Sequence, residues 1–379
     1  MASTGTDSAV YLDKAEGVER FLSEIEDVTE LALDTEGASF HRFLDRIYLI
    51  QVSTRDRSAI IDPLPIGAPA RLGALLENRS VEVVFHDADY DLRLLHQDYG
   101  WHVANIFDTR IASQLLGIKS FGLAALLEQF FDVKLDKKHQ RADWSMRPLT
   151  AEMLEYAAQD TRYLLQLKDH MKADLERRGR LHWAQEEFSR LEGTRWEAEE
   201  SMESFLRLKG ARELTRPELA VLRELVNWRD TVAAQLDRAT FRVMGNEVLF
   251  ELSRRPPQNV AALAAIKGMP KGMLDRAGSD IIAAIRRGLE VPEAELPRFP
   301  KPQRWNKDQE FDARVARLKA VRDEVAHKLE LDPGVLCSRE RLENIARSGA
   351  KTIDQLEAVP DLRRWQIEVM GPGFIAALA

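Results

Sequence analysis

One pentapeptide recurs. Arg229-Asp230-Thr231-Val232-Ala233 returns as Arg322-Asp323-Glu324-Val325-Ala326, 93 residues later. The same offset, without a gap, carries Leu236 onto Leu329, Glu247 onto Glu340, Leu249 onto Leu342, Leu263 onto Leu356 and Gly278 onto Gly371. Chance helical periodicity would not hold that register, so the chain must accommodate two copies of one small helical domain. Between them lies VPEAELPRFPKPQRW, Pro-rich and charged, a linker composition. The first copy is placed at 210–290, the linker at 291–309 and the second copy at 310–379.

The residues before the repeats have another character. Val28 to Thr35, Tyr48 to Ser53, Ala59 to Asp62, Val81 to Phe85 and Ile106 to Asp108 read as strands. Helices are expected at 15–26, 68–77, 90–97, 109–116, 121–131 and 150–175. Strands first, then strands alternating with helices, indicate an α/β domain with a mixed sheet over 1–180. Residues 181–209 read as a helical, acidic connector. From about 183 onward no strand is expected.

With 379 residues there is room for these domains. No apolar run approaches the length of a bilayer span, and the start lacks the pattern of a signal peptide. Cys337 is the only cysteine, which excludes an intrachain disulfide and a thiolate metal cluster. A reducing cytoplasm is the expected location. The net charge of −8 at first argues against a nucleic-acid partner. Its distribution changes that: −11 over 1–209, +4 over 210–288 and −1 over 289–379. A basic module therefore follows an acidic domain. The basic stretches 134–141 and 177–180 could also meet phosphates.

The chemistry is carried by carboxylates. In LALDTEGAS, Leu31 and Leu33 give a strand its apolar face, and Asp34 and Glu36, two apart, point to one side of it. Two adjacent carboxylates repel unless a cation intervenes, and a hard divalent ion such as Mg²⁺ or Mn²⁺ suits them. A lone Asp-x-Glu is more often a strand end with solvated acids, so further carboxylates decide the matter. Asp91 follows a buried strand at the start of a helix, where capping alone would favour it; Asp87 and Asp89 add acid to the same turn. Tyr156 and Asp160 are four apart on a strong helix and share its face.

Asp-x-Glu on a strand, Asp after a later strand and Tyr-x-x-x-Asp on a helix is the order of the DEDD exonucleases. With SFHRFLDRIYLIQ after the first acids and WSMRPLTAEMLEYAAQDTRYLL around the last, the sequence resembles the ribonuclease D family of DEDDy-type 3′→5′ exoribonucleases. The helical repeats resemble HRDC domains. The resemblance spans nearly the whole chain. It implies a ribonuclease H-like (DnaQ-like) α/β exonuclease domain followed by two all-α HRDC domains. Where the DEDDh variant has His, five residues before the last Asp, this chain has Glu155, so it follows the Tyr pattern.

The resemblance also implies a mechanism. Two Mg²⁺ or Mn²⁺ ions about 4 Å apart would activate water and stabilise the leaving 3′ oxygen. Asp34 would bridge both, Glu36 and Asp160 would complete the nucleophile's site, and Asp91 would reach the second ion through water. Tyr156 would orient the attacking water, being a poor base with an ordinary pKa of about 10. Nucleoside 5′-monophosphates would leave from the 3′ end of RNA, with precursor tRNAs bearing 3′ extensions as the expected substrate. No obligate protein partner is inferred. Lys137, Lys138, Arg141, Arg254, Arg255, Lys267 and Lys271 are candidate RNA contacts, while the near-neutral second repeat is expected to serve packing more than charge. Two other readings stand beside this one: a 3′→5′ DNA exonuclease, since the acids do not distinguish the sugars, and an RNA-binding protein with a dead nuclease fold. The complete set of acids and the Tyr argues against the last.

Overall fold

The computed structural model describes residues 9–136, 138–197, 201–300 and 309–379. The chain divides into two units. One comprises Met1–Gly37, Ile47–Trp196 and Trp305–Ala379, the other Ala38–Arg46 and Glu197–Arg304.

The first unit opens with β1 (Val10–Leu12), α1 (Ala15–Glu24), β2 (Glu30–Glu36), β3 (Leu49–Ser53) and β4 (Ser58–Ile61). It continues through α2 (Pro63–Ile66), α3 (Ala70–Leu76), β5 (Glu82–Phe85), α4 (Asp89–Tyr99), β6 (Ile106–Asp108) and α5 (Thr109–Leu115). Then come α6 (Leu123–Phe131), α7 (Ala151–Arg162), α8 (Leu164–Arg177) and α9 (Leu181–Leu191). Among the described residues the six strands form one mixed sheet in the order β1-β4-β3-β2-β5-β6, in which β3 alone runs against the rest.

Strand alternation positions the acids. Leu31 and Leu33 of β2 are buried with Phe21, Leu22, Val83, Phe85 and Leu95 on one face of the sheet. Ala32 belongs to the core of the other face, with Val84 and Phe107. Since β2 stays extended through Glu36, Asp34 and Glu36 share the face of Ala32. Thr35 points the opposite way.

The second unit holds α10 (Arg216–Gln235), α11 (Thr240–Val243), α12 (Asn246–Arg254), α13 (Val260–Ala264) and α14 (Lys271–Leu289). Thr215 starts α10 with a capping box to Glu218. Leu219, Leu222, Leu225, Val226, Leu249, Phe250, Ile281 and Ile285 form its core.

The second helical copy, α15 (Gln309–Leu329), α16 (Pro333–Leu336), α17 (Arg339–Ser348), α18 (Ile353–Glu357) and α19 (Arg364–Leu378), belongs to the first unit. Its Phe311, Leu318, Leu331, Trp365 and Phe374 share one core with Phe107, Leu115, Leu116, Trp183 and Phe188. Trp183 and Trp365 stack at 5.1 Å. Buried Arg180 donates to the carbonyls of Leu115 (2.8 Å) and Leu329 (2.7 Å), satisfying the C-terminal ends of α5 and α15. Gly117, at φ +77°, lets the backbone come so close that a Cβ would stand 2.3 Å from the Glu330 oxygen. Glu186 caps α19 through the Arg364 and Trp365 N–H groups, and Glu187 accepts from the Trp365 indole at 2.8 Å.

Four expectations change. The helix expected over 150–175 breaks at Tyr163, which separates α7 from α8. β1 was not anticipated; it is a three-residue strand paired with β4. The region read as a connector supplies α9, whose Trp183, Ala184 and Phe188 are core residues. Residues 38–46, directly after the first acids, belong to the second unit.

Candidate active site

Asp34 and Glu36 end β2, and Asp160 lies in the last turns of α7, which packs on β2, β3 and β4. The Thr150 hydroxyl accepts from the Met153 N–H at 3.2 Å and starts that helix. One carboxylate oxygen from each of Asp34, Glu36 and Asp160 lies within 4.8 Å of the others. Each side chain keeps some open surface, yet protein atoms crowd the carboxyls. Burial, then the Asp160 charge, pushes Asp34 well above the usual carboxylate range. Burial followed by Asp34, Asp160 and Asp91 does the same to Glu36. Asp160 is raised to about 7 by burial and then by Asp91.

Asp91 sits in the first turn of α4, 5% exposed. Its Oδ1 accepts from the Thr35 N–H (3.0 Å) and the Thr35 hydroxyl (2.5 Å). Burial, then the Asp34 charge, raises its pKa despite those bonds. Among the described residues no lysine, arginine or histidine ion-pairs with any of the four acids. A compact set of oxygen donors with repelling charges and no counter-ion fits a hard divalent cation, whereas a soft metal would call for thiolates.

Tyr156 stands one helical turn before Asp160. Burial and the charges of Asp160, Glu36 and Asp34 push its pKa far upward, which favours the protonated hydroxyl. Its ring meets His139 edge-on at 5.9 Å and Trp144 at 6.0 Å. Arg147 secures the segment carrying these two rings: it donates to the carbonyls of Trp144 (2.7 Å) and Tyr48 (2.9 Å) and to Asp62 (2.8 Å).

Sequence reasoning passed over the residues that hold these acids. Gln51 on β3 is fully buried, lies opposite Asp34 in register and donates to Glu36 Oε1 at 3.4 Å; its own oxygen has no partner among the described residues. Ser53, two positions on, bonds Thr161 at 2.7 Å and so ties β3 to the residue after Asp160. The available signal was a polar residue at each of these positions inside an otherwise apolar strand.

The remaining candidates are dispersed. Asp87, at φ +71°, ion-pairs with Arg110. Lys138 pairs with Glu152 at 2.7 Å, Arg254 with Glu213 and Arg255 with Glu251, each at 3.3 Å. Arg141, Lys267 and Lys271 are exposed, and Lys137 lies outside the described residues. A cavity of about 1250 Å³ is lined by Leu115, Ile118, Leu331, Val335 and Trp365 and by none of the acids.

Residues 9–176 match the family model described as 3′-5′ exonuclease. Residues 218–285 and 311–378 each match that of the HRDC domain, at the repeat's own offset. A curated ribonuclease D of Pseudomonas paraeruginosa is 31% identical over 350 residues, covering 92% of either chain. The chain belongs to the ribonuclease D family. It is accordingly a 3′–5′ exoribonuclease, with a mixed-sheet nuclease domain and two helical HRDC domains. A solved protein from Bifidobacterium adolescentis is similar throughout, with a TM-score of 0.84 and 26% identity over 98% of this chain and 97% of that one. The Escherichia coli RNase D structure shares the fold, at TM-score 0.73 and 24% identity over 98% of each chain. The exonuclease domain and its acid cluster together point to use of a divalent metal.

Proposed function

We propose that the chain trims RNA from the 3′ end by two-metal-ion hydrolysis, releasing nucleoside 5′-monophosphates, with 3′-extended tRNA precursors in the cytoplasm as substrate. The observation that carries this reading is the convergence of Asp34, Glu36 and Asp160, one carboxylate oxygen of each lying within 4.8 Å of the others. When bound, Mg²⁺ or Mn²⁺ ions would activate water and neutralise the leaving 3′ oxygen. Asp34, Glu36 and Asp160 would hold the ions, with Asp34 shared between them, and Asp91 would complete the set. For Asp91, the bonding of Oδ1 to Thr35 supports presentation of Oδ2. Tyr156 is assigned to donate its proton in a hydrogen bond that orients the attacking water.

The domain assignment belongs to the same proposal, amended by the fold: a nuclease that extends through α9 and lends 38–46 to the second unit, HRDC domains at 210–290 and 310–379, and a linker at 291–309. The test is digestion of matched 3′-tailed RNA and DNA in Mg²⁺, Mn²⁺ or chelator, with products resolved by chromatography. Stepwise release of 5′-monophosphates from RNA alone, abolished by chelation, is expected. Turnover after exhaustive metal removal, or equal rates on DNA, would overturn it.

A further inference from the structure

The second unit carries an exposed surface that the assignments above do not use. Five large apolar side chains stand half out on two short segments: Phe40 (44%), Phe43 (41%), Leu44 (46%), Leu236 (49%) and Phe241 (52%). The segments are bonded to each other. Ala239 N–H donates to the His41 carbonyl at 3.1 Å, Arg242 Nε to the Phe40 carbonyl at 2.5 Å, and Phe43 N–H to Asp237 at 3.3 Å. Apolar side chains concentrated in this way mark a binding surface.

The charges on this surface identify the occupant. Arg42, Arg46, Arg238 and Arg242 are interleaved with the rings, and the Arg242 guanidinium lies 5.9 Å from the Phe241 centroid. The two carboxylates nearby already accept bonds from within the surface, Asp45 from the Ala38 N–H at 2.8 Å and Asp237 from Phe43 and Arg42. Rings alternating with guanidiniums match a strand that alternates bases with phosphates. A protein partner would instead favour an apolar centre ringed by charge.

We propose that Phe43 and Phe241, with Arg42, Arg238 and Arg242, form a stacking site for single-stranded RNA. The site rests on the RNA reading above, and Phe40 follows Glu36 by only four residues in the chain. Bases stack on the exposed rings, and phosphates meet the guanidiniums.

The test uses the full chain in chelator and a labelled single-stranded 12-mer RNA, read by fluorescence anisotropy. An otherwise identical strand with abasic positions is run in parallel. Wild type is compared with Phe43→Ala/Phe241→Ala and with Phe43→Trp/Phe241→Trp, after melting shows all three folded. The alanine pair should lose about ten- to a hundredfold in affinity for the base-bearing strand. The tryptophan pair should keep its affinity. Wild type should disfavour the abasic strand by a similar factor, and the alanine pair should not discriminate. Equal binding by wild type and the alanine pair, or equal binding of both strands by wild type, overturns the proposal. So does wild-type self-association that the alanine pair abolishes, since that assigns the surface to a second copy. Absence of RNA hydrolysis in Mn²⁺, with ring-dependent binding intact, would overturn the hydrolytic reading and leave the stacking site standing.

Discussion

Asp160→Asn should stabilise the metal-free protein at alkaline pH while abolishing turnover. The folded carboxyl titrates at about 7, against about 3.9 in an unfolded chain. A raised folded pKa means that the native state holds the proton more tightly. The associated stability is fully present below pH 4 and is lost as pH rises through 7. About three units at 1.36 kcal/mol each set an upper bound of about 4 kcal/mol. Asp34 and Glu36 share the repulsion and can take up the proton themselves, so about 1–3 kcal/mol is the expected gain. Asparagine cannot ionise and escapes the loss. The assay is urea denaturation in EDTA at pH 5.0 and pH 8.5, followed by far-UV circular dichroism. The variant should exceed wild type by only about a third of the full gap at pH 5.0, where the unfolded carboxyl has already ionised, and by the whole gap at pH 8.5, and added Mg²⁺ should close the gap by stabilising wild type. A variant less stable at pH 8.5, or a gap equal at both pH values, would show that Asp160 serves the fold and refute the reasoning.

Tyr156→Phe should lower kcat at least tenfold and leave Mn²⁺ affinity by calorimetry within a factor of two; a parallel fall would make the hydroxyl part of the metal site. Gln51→Leu, similar in volume, should weaken Mn²⁺ binding by freeing Glu36 to rotate, whereas unchanged affinity would leave Gln51 a filler of the sheet. Trp365→Ala removes the partner of Trp183 and should cost about 3–5 kcal/mol of stability, read as a lower denaturation midpoint of the whole nuclease. Truncation at residue 210 removes the same partner and should give insoluble protein, while a soluble, active fragment would show that the nuclease closes its core alone.

The acids were legible because local geometry places them. Alternation along β2 set Asp34 and Glu36 on one face, and helical spacing set Tyr156 beside Asp160. What escaped was short, continuous in pattern or remote. β1 has three residues and too little alternation to register. Nothing in the run of leucines around Tyr163 marks a break, because the apolar spacing continues across it. The stacking of Trp183 on Trp365 joins residues 182 positions apart, and no local pattern encodes such a contact. Residues 38–46 were read as an adjunct of the acids, yet their bonds go to Asp237, Ala239 and Arg242. Thr35 and Gln51 were visible as polar residues among apolar ones, but their partners depend on strand order.

The shared core has a consequence for biosynthesis. Phe188 and Phe374 lie in one apolar cluster, separated by roughly 190 residues of chain. At roughly 5–20 residues per second, a ribosome takes about 10–40 s to travel from one to the other. Throughout that interval the nuclease has emerged without the helices of the second copy that complete its core, while residues 197–304 of the second unit are made in between. Helix α19 thus completes a core whose first strands are made long before it. A stop codon within the second helical copy removes Trp365 and Phe374 from that core, and the truncated nuclease is expected to lose stability.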